Sequence, residues 1–183
     1  VCRVLDAADR PVYYYHCPPN NGINLSLAQF ATILSHPNLK GIKNSASNMW
    51  LRRELLLLKV ERGFSAALLE GQEWAVDEAL LIGCDGMLCG MGALGTTFMV
   101  GIARAVDAGN VAEAVRLQNR FIKLFHGVYG TDLSTVWVGQ KYALKCLGLC
   151  ASELTRAQDM KALTETRKRE IEACIEAFRE ELD

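Results

Sequence analysis

Short apolar runs alternate with helical patterns through the first part of this 183-residue chain. The runs contain β-branched and aromatic residues, which favour strands, and each is followed by a segment with helical periodicity. Four such strand–helix pairs follow one another, an order typical of a parallel sheet covered by helices. This alternation restricts the fold more than any other feature, and it predicts an α/β protein.

The predicted elements can be placed on the printed sequence. Strands are predicted over Val12–Tyr15, Leu39–Lys43, Phe64–Leu69 and Gly86–Cys89. Helices are predicted over Asn24–Leu34, Asn48–Glu61, Glu73–Ile82, Thr97–Ala108, Asn110–His126, Ser134–Leu147 and Ser152–Leu182. Ser26 and Gln29 fit a capping box in the first helix. Strands stop after Gly109, so we predict one domain of βα units over residues 1–108 and a helical extension over residues 109–183.

Composition and charge exclude several classes of protein. The chain is 50 % hydrophobic and 22 % charged, with a formal net charge of -1, which gives no electrostatic reason to expect nucleic acid or an anionic membrane as partner. No apolar run reaches the roughly 18 residues of a membrane helix. The start lacks both a signal-peptide pattern and an initiator Met, so residues are expected upstream and the expected compartment is the cytoplasm.

The cysteines favour reduced thiols over a disulfide framework. Their number, seven, is odd, and they form no C-x-x-C pair. Disulfide frameworks belong mainly to small secreted domains. Paired zinc-ligand spacing with the three histidines is also absent. We therefore expect mostly buried, reduced thiols and no metal.

Two residues at predicted strand ends suggest chemistry. Active sites of parallel α/β folds lie at the carboxyl ends of the strands. Lys43 ends an apolar strand, where partial desolvation would favour the neutral amine that attacks a carbonyl. Tyr15 ends the neighbouring strand and could relay a proton. Each also has a structural interpretation: lysines at strand ends are commonly snorkelling surface residues, and tyrosines commonly pack in sheets.

Spaced motifs over residues 11–150 resemble those of a known family. They are Tyr15-His16-Cys17-Pro18 followed by Asn21-Gly22, Gly41-Ile42-Lys43, Gly83-Cys84-Asp85-Gly86, Lys141-Tyr142-Ala143-Leu144 and Leu147-Gly148-Leu149. In this order and spacing the motifs resemble the dihydrodipicolinate synthase / N-acetylneuraminate lyase family of Schiff-base aldolases. The resemblance implies a TIM (β/α)8 barrel, of which the four strands found here would be the fifth to eighth. A whole barrel takes about 250 residues, so the first half would be absent.

The resemblance also implies the roles of individual residues. It makes Lys43 the Schiff-base lysine and Tyr15 the proton relay. Substrate contacts are expected from strand-end residues, namely Asn21, Ser45, Gly71, Glu73 and Gly90. The family's Thr-Thr motif, which helps bind the keto-acid carboxylate, would lie in the missing half, so no residue here is matched to it. No organic cofactor or metal is expected.

Departures from the family pattern bear on the substrate. Asn20 stands where the synthases carry an Arg that binds a carboxylate, and an amide does not replace a guanidinium fork. Glu73-Trp74 stands where the sialic acid lyases carry an Asp-Glu pair that contacts sugar hydroxyls. These residues predict a lyase that joins or separates pyruvate and a hydroxylated aldehyde, as an N-acetylneuraminate lyase does.

Two alternatives remain open on the sequence. One is a condensation like that of dihydrodipicolinate synthase, which uses an aldehyde bearing a carboxylate. The other is a truncated, non-catalytic fragment or interaction module. A half-barrel would leave open sheet edges and an exposed apolar face, so a homo-oligomer is expected, and the fragment could lack activity by itself.

Overall fold

The computed structural model describes residues 1–182, with the side chain of Gln158 outside the description. The chain divides into two compact units, one over Val1–Cys89 and one that begins at Gly90. The division falls earlier than the change of architecture predicted at residue 109, because the helix over Gly92–Asp107 packs on the helix that follows it. Of the helices in the described part, none has both the length and the apolar content needed to cross a bilayer.

A parallel four-stranded sheet forms the centre of the first unit. Its strands are β1 (Val12–His16), β2 (Leu39–Asn44), β3 (Ala67–Glu70) and β4 (Gly86–Met87), paired in that order. The helices of this unit are α1 (Cys2–Ala7), α2 (Pro18–Asn21), α3 (Leu27–Leu34), α4 (Met49–Arg62) and α5 (Val76–Leu81), with a 3₁₀ turn over Glu73–Ala75. All four predicted strands and their parallel order are confirmed. The short helices α1 and α2 were not predicted.

Helix ends in this unit follow from local side-chain chemistry. Ser26 and Gln29 form the predicted capping box, each side chain accepting the other's backbone N–H. Asn48 caps α4 by accepting from the backbone of Leu51 at 3.0 Å. Gly63 ends α4 with φ of 64°, a left-handed conformation that glycine adopts without a steric cost.

The core of the first unit lies on one face of the sheet. Ile42 of β2 is fully buried, together with Phe30 of α3 and Leu55 of α4. Burial of one such side chain contributes about 1.5–3 kcal/mol. Neighbours along a strand point to opposite faces, so the packing of Ile42 sends the next residue, Lys43, to the other face of the sheet.

The second unit is entirely helical in its regular elements. They are α6 (Gly92–Asp107), α7 (Val111–Tyr129), α8 (Val136–Cys146), α9 (Glu165–Ala177) and α10 (Arg179–Leu182), with a 3₁₀ turn over Gln158–Ala162. Phe121, Leu124 and Ile171 have no exposed surface and form the centre of its core. Within the described residues, the part of the chain after Gly109 contains helices and no strand, and α6 belongs to the same unit.

The helix predicted over Ser152–Leu182 is wrong over residues 152–164, and the remainder is divided into α9 and α10 at Phe178. Ser152 and Thr155 use their hydroxyls to accept backbone N–H groups two residues further on. Such local bonds compete with helical ones. The long helix α9 begins only after Thr164, whose hydroxyl accepts from the backbone of Arg167.

The seven cysteines are all free thiols. Cys17 and Cys84 are buried and the other five are partly exposed. The expectation of mostly buried thiols is met in full by Cys17 and Cys84, while the other five thiols are partly covered by neighbouring elements.

Candidate functional site

Tyr15 and Lys43 lie side by side at the carboxyl end of the sheet. They are direct partners in the parallel pairing of β1 with β2. The Lys43 ammonium nitrogen is 4.5 Å from the centroid of the Tyr15 ring, within the range of a cation–π contact. Lys43 is partly buried, and Tyr15 is 47 % exposed. The sheet register thus brings together the two residues for which chemistry is predicted.

Polar neighbours surround the phenol of Tyr15. Its pKa is raised, first by a hydrogen bond with the Cys17 thiol, which favours the protonated phenol, and next by partial burial. A hydrogen bond with the Ser45 hydroxyl lowers this pKa, and the nearby Glu73 carboxylate raises it. The phenol is therefore protonated at neutral pH and can donate a proton, and the raised pKa makes its phenolate a stronger base for taking the proton back.

Gly71 directly follows β3 and lies beside the Lys43 side chain. A Cβ atom placed on Gly71 would overlap the Ser45 hydroxyl and lie 3.0 Å from Lys43 Cε. The Gly71 backbone N–H donates to the carbonyl of Asn44 at 2.8 Å. A glycine at this position lets the chain that leaves β3 pass beside the lysine without displacing its side chain.

Glu73 brings a negative charge to the same end of the sheet. It begins the 3₁₀ turn after β3, and its charge raises the pKa values of Tyr15 and Cys89. Burial is the main reason that the pKa of Cys89 rises to about 12, while Lys43 lowers it. Cys89 is therefore a neutral thiol in the electrostatic neighbourhood of Lys43 and Glu73.

The structure does not bring all of the predicted site residues together. Tyr15, Lys43, Ser45, Gly71 and Glu73 are linked by the contacts described above. Asn21 ends α2, is exposed, and uses its side-chain oxygen to accept the backbone N–H of Ile23 at 2.9 Å.

Gly90 is the first residue of the second unit. Its carbonyl accepts from the Gln140 side chain at 3.2 Å. The substrate roles of Asn21 and Gly90 stay predictions.

Four residues beside the site were not predicted. Cys17 lies two positions after Tyr15, and period-two alternation could have placed it on the same face. Glu70 and Arg52 are buried, with 2 % and 5 % of their side chains exposed, and Asn44 is buried beside them. An ionisable residue at an apolar strand end, such as Glu70, was the available signal for this second group.

The contacts among these buried groups are specific. Asn44 Nδ2 donates to Glu70 Oε2 at 3.1 Å, and the Gly71 backbone N–H donates to Glu70 Oε1 at 2.9 Å. Arg52 Nη1 is 3.9 Å from Glu70 Oε2, and its Nη2 is 2.8 Å from Glu78 Oε1. Burial raises the pKa of Glu70, while Gly71, Arg52 and Asn44 lower it.

A metal does not fit the described part of the site. Within residues 1–182, no group of three or more histidine, cysteine, aspartate or glutamate side chains is arranged to hold an ion. The chemistry available here is that of an amine, a phenol and their hydrogen-bonding neighbours.

Comparison with known proteins finds one family. The model of the Dihydrodipicolinate synthetase family matches residues 2–178. A curated relative, the 4-hydroxy-tetrahydrodipicolinate synthase of Acidiphilium cryptum, is 26 % identical over 172 residues, which cover 94 % of this chain and 56 % of that protein. The chain spans between 34 % and 56 % of the length of the curated relatives that it matches.

Solved structures share the fold. Dihydrodipicolinate synthase from Bacteroides thetaiotaomicron superposes with a TM-score of 0.85 at 22 % identity, covering 96 % of this chain and 58 % of that one. N-acetylneuraminate lyase from Fusobacterium nucleatum gives a TM-score of 0.79 at 18 % identity, covering 96 % and 57 %. A second structure of that lyase contains pyruvate. The TIM-barrel type of fold expected from the sequence is thereby confirmed.

Proposed function

Since this chain belongs to the Dihydrodipicolinate synthetase family, we propose that it carries the nucleophile and the proton relay of a Schiff-base lyase acting on 2-keto acids. The observation that carries the proposal is the direct pairing of Tyr15 with Lys43 at the carboxyl end of the sheet. The family includes both synthases and lyases. The pyruvate bound to the Fusobacterium nucleatum lyase supports pyruvate as the keto acid here.

The proposed reaction begins at the Lys43 amine. Its lone pair attacks the ketone carbon of pyruvate, or of a pyruvate-derived sugar acid, and forms a carbinolamine. Tyr15 donates a proton to the departing hydroxyl, so water leaves and an iminium remains. With a 4-hydroxy-2-keto acid as substrate, its iminium accepts the electron pair released when the bond between C3 and C4 breaks, while the Tyr15 phenolate takes the proton of the 4-hydroxyl, giving an aldehyde and an enamine. Protonation of the enamine carbon and addition of water then release pyruvate and restore the Lys43 amine. Tyr15 is placed to take up and return the proton.

The proposed aldehyde is hydroxylated and lacks a second carboxylate. Asn20 offers no positive charge, and the Glu73 carboxylate acts on the groups around Tyr15. A carboxylate accepts hydrogen bonds from sugar hydroxyls and repels an acidic aldehyde. These residues favour a sugar acid lyase like N-acetylneuraminate lyase.

A synthase-like condensation is the second candidate. Its support is the group of curated relatives that are 4-hydroxy-tetrahydrodipicolinate synthases. Assaying the full-length gene product with both classes of aldehyde separates the two candidates. Faster turnover of the carboxylated aldehyde would establish the synthase type.

The four strands are proposed to be the fifth to eighth of the barrel. Within the described residues, β1 and β4 are the open edges of the sheet. Tyr13 and Leu88 are 59 % and 53 % exposed next to these edges. When this segment is produced by itself, unpaired edges with apolar neighbours favour association, so we propose that it then forms a homo-oligomer; a monomer in sedimentation equilibrium would contradict this. The cytoplasm is the proposed compartment, because free thiols persist under reducing conditions.

Trapping the imine tests the proposed function. Pyruvate and borohydride should add one reduced pyruvate to the full-length gene product. Lys43→Ala should abolish this adduct. Lys40→Ala is the matched control, because Lys40 is exposed and its ammonium donates to the Pro37 carbonyl at 3.0 Å, away from Tyr15. Adduct formation that survives Lys43→Ala would refute the mechanism.

A further inference from the structure

We propose that Glu70 is a positioning residue for Lys43, acting from the opposite face of the sheet through Asn44 and Gly71. The proposal rests on the function proposed above, in which Lys43 is the amine that forms the imine. Glu70 itself touches neither the amine nor the expected substrate position. Its effect passes through the two backbone segments next to Lys43.

The geometry of the sheet lets the Glu70 side chain connect β2 with the end of β3. Lys43 and its partner Leu69 share one face, so Asn44 and its partner Glu70 share the other. The two oxygens of Glu70 are used separately, one for the Asn44 side chain and the other for the Gly71 backbone N–H. One carboxylate thus fixes the residue after Lys43 and the backbone that passes beside it.

Gly71 transmits this position directly to the lysine. Its backbone N–H is shared between the Asn44 carbonyl at 2.8 Å and Glu70 Oε1 at 2.9 Å. The space above Gly71 is limited by Lys43 Cε and by the Ser45 hydroxyl. A displacement of Gly71 would therefore move the stem of Lys43 relative to the phenol of Tyr15.

Helix α4 anchors the carboxylate. Arg52 is 5 % exposed and lies between Glu70 and Glu78. Its closer contact is with Glu78, at 2.8 Å against 3.9 Å for Glu70. Arg52 therefore keeps a partner when Glu70 is neutralised, which allows the role of the carboxylate to be tested in a folded protein.

Stability alone does not explain a carboxylate here. Burial raises the pKa of Glu70 in spite of Arg52, Asn44 and Gly71, so the ionised group costs folding free energy at neutral pH. Buried ion pairs are often no better for stability than neutral groups that fill the same space. A residue retained for positioning should lose reactivity on replacement without losing stability.

Glu70→Gln in the full-length gene product tests the proposal. The amide introduced by this change would still accept from Gly71 through its oxygen, but its nitrogen could not accept from Asn44 Nδ2. At saturating pyruvate, we expect imine formation to slow by roughly tenfold or more, with half-saturation changed by less than about twofold. The Tm at pH 8 should not fall.

Two further variants sharpen the test. Glu61→Gln makes the same chemical change on the exposed end of α4 and should react like the wild type. The double variant that combines Asn44→Asp with Glu70→Gln reverses the carboxylate–amide pair, so it should recover most of the lost rate. A rate for Glu70→Gln within about twofold of the wild type, or a loss matched by unfolding, would overturn the proposal.

A second readout separates this proposal from the function on which it rests. If the wild type forms no imine at all, the proposed function fails. Acetylation of Lys43 by acetic anhydride, mapped by mass spectrometry and compared with Lys40, then decides the positioning role. A changed ratio of the two rates in Glu70→Gln supports that role, and an unchanged ratio contradicts it.

Discussion

The two units bury different kinds of group. The sheet unit buries a set of polar side chains near the strand ends, namely His16, Asn44, Ser45, Arg52 and Glu70. In the described part of the helical unit, the buried polar side chains are Gln118 and Thr135. Buried polar groups cost free energy unless they are paired, and Asn44, Arg52 and Glu70 are paired with one another or with their neighbours. Their position next to Lys43 agrees with the function proposed for this end of the sheet.

Polar contacts in the helical unit serve its backbone. Arg167 donates to the carbonyl of Gly127 at 2.8 Å and to the hydroxyl of Thr135 at 3.2 Å. Asp159 accepts the backbone N–H groups of Trp137 and Val138 at the start of α8. These contacts satisfy helix ends, which otherwise have unpaired groups. These polar contacts of the helical unit thus have a structural explanation, whereas the residues of the proposed chemistry lie in the sheet unit.

Removing the centre of the helical core should have the largest effect on stability. Phe121 is fully buried, and its ring is tilted against those of Phe98 and Phe125. Phe121→Ala should lower the free energy of unfolding by about 3–5 kcal/mol, measured by denaturant titration. Val115→Ala on the exposed side of α7 is the control and should change it by less than about 0.5 kcal/mol. Equal effects of the two changes would contradict the proposed core.

Removing the phenol hydroxyl should have the next largest effect, on rate rather than on stability. Tyr15→Phe should slow turnover by roughly a hundredfold or more, the usual size of a lost general acid or base. Some imine should still form, because Lys43 remains. Tyr13→Phe is the matched control, since Tyr13 precedes the site on the same strand and is 59 % exposed. Equal rates for Tyr15→Phe and Tyr13→Phe would contradict the role proposed for the Tyr15 hydroxyl.

The sequence predicts the site well where the chemistry depends on strand order. Tyr15 and Lys43 meet because two consecutive parallel strands end at the same edge, and period-two alternation fixes the face. The Ser26–Gln29 capping box is equally local, and it was predicted correctly. Such features depend on residues close in sequence or on a single pairing.

Contacts between elements are harder to predict from sequence. Arg52 and Glu70 meet across α4 and β3, and the burial that makes Glu70 unusual depends on packing by several segments. The interruption before α9 depends on hydroxyls whose competition with helical bonds is decided by context. Tertiary packing, which strand–helix periodicity does not encode, determines both.

The smallest expected effect is a pH dependence of stability at Glu70. Its pKa is raised in the folded protein, chiefly by burial, while Gly71, Arg52 and Asn44 lower it. The unfolded chain therefore releases this proton at a lower pH, and stability is lost as the pH rises through the raised value. Glu70→Gln should gain stability relative to the wild type between acidic and neutral pH, measured by urea titration. A difference that is constant with pH would show that Glu70 does not titrate abnormally.

Mapping the trapped adduct tests the central claim most directly. The full-length gene product would be incubated with pyruvate, reduced with borohydride, digested, and analysed by tandem mass spectrometry. The proposed mechanism predicts a secondary amine on Lys43, in the peptide that also contains Asn44 and Ser45, and none on Lys40. An adduct on a different lysine, or no adduct in an active preparation, would contradict it.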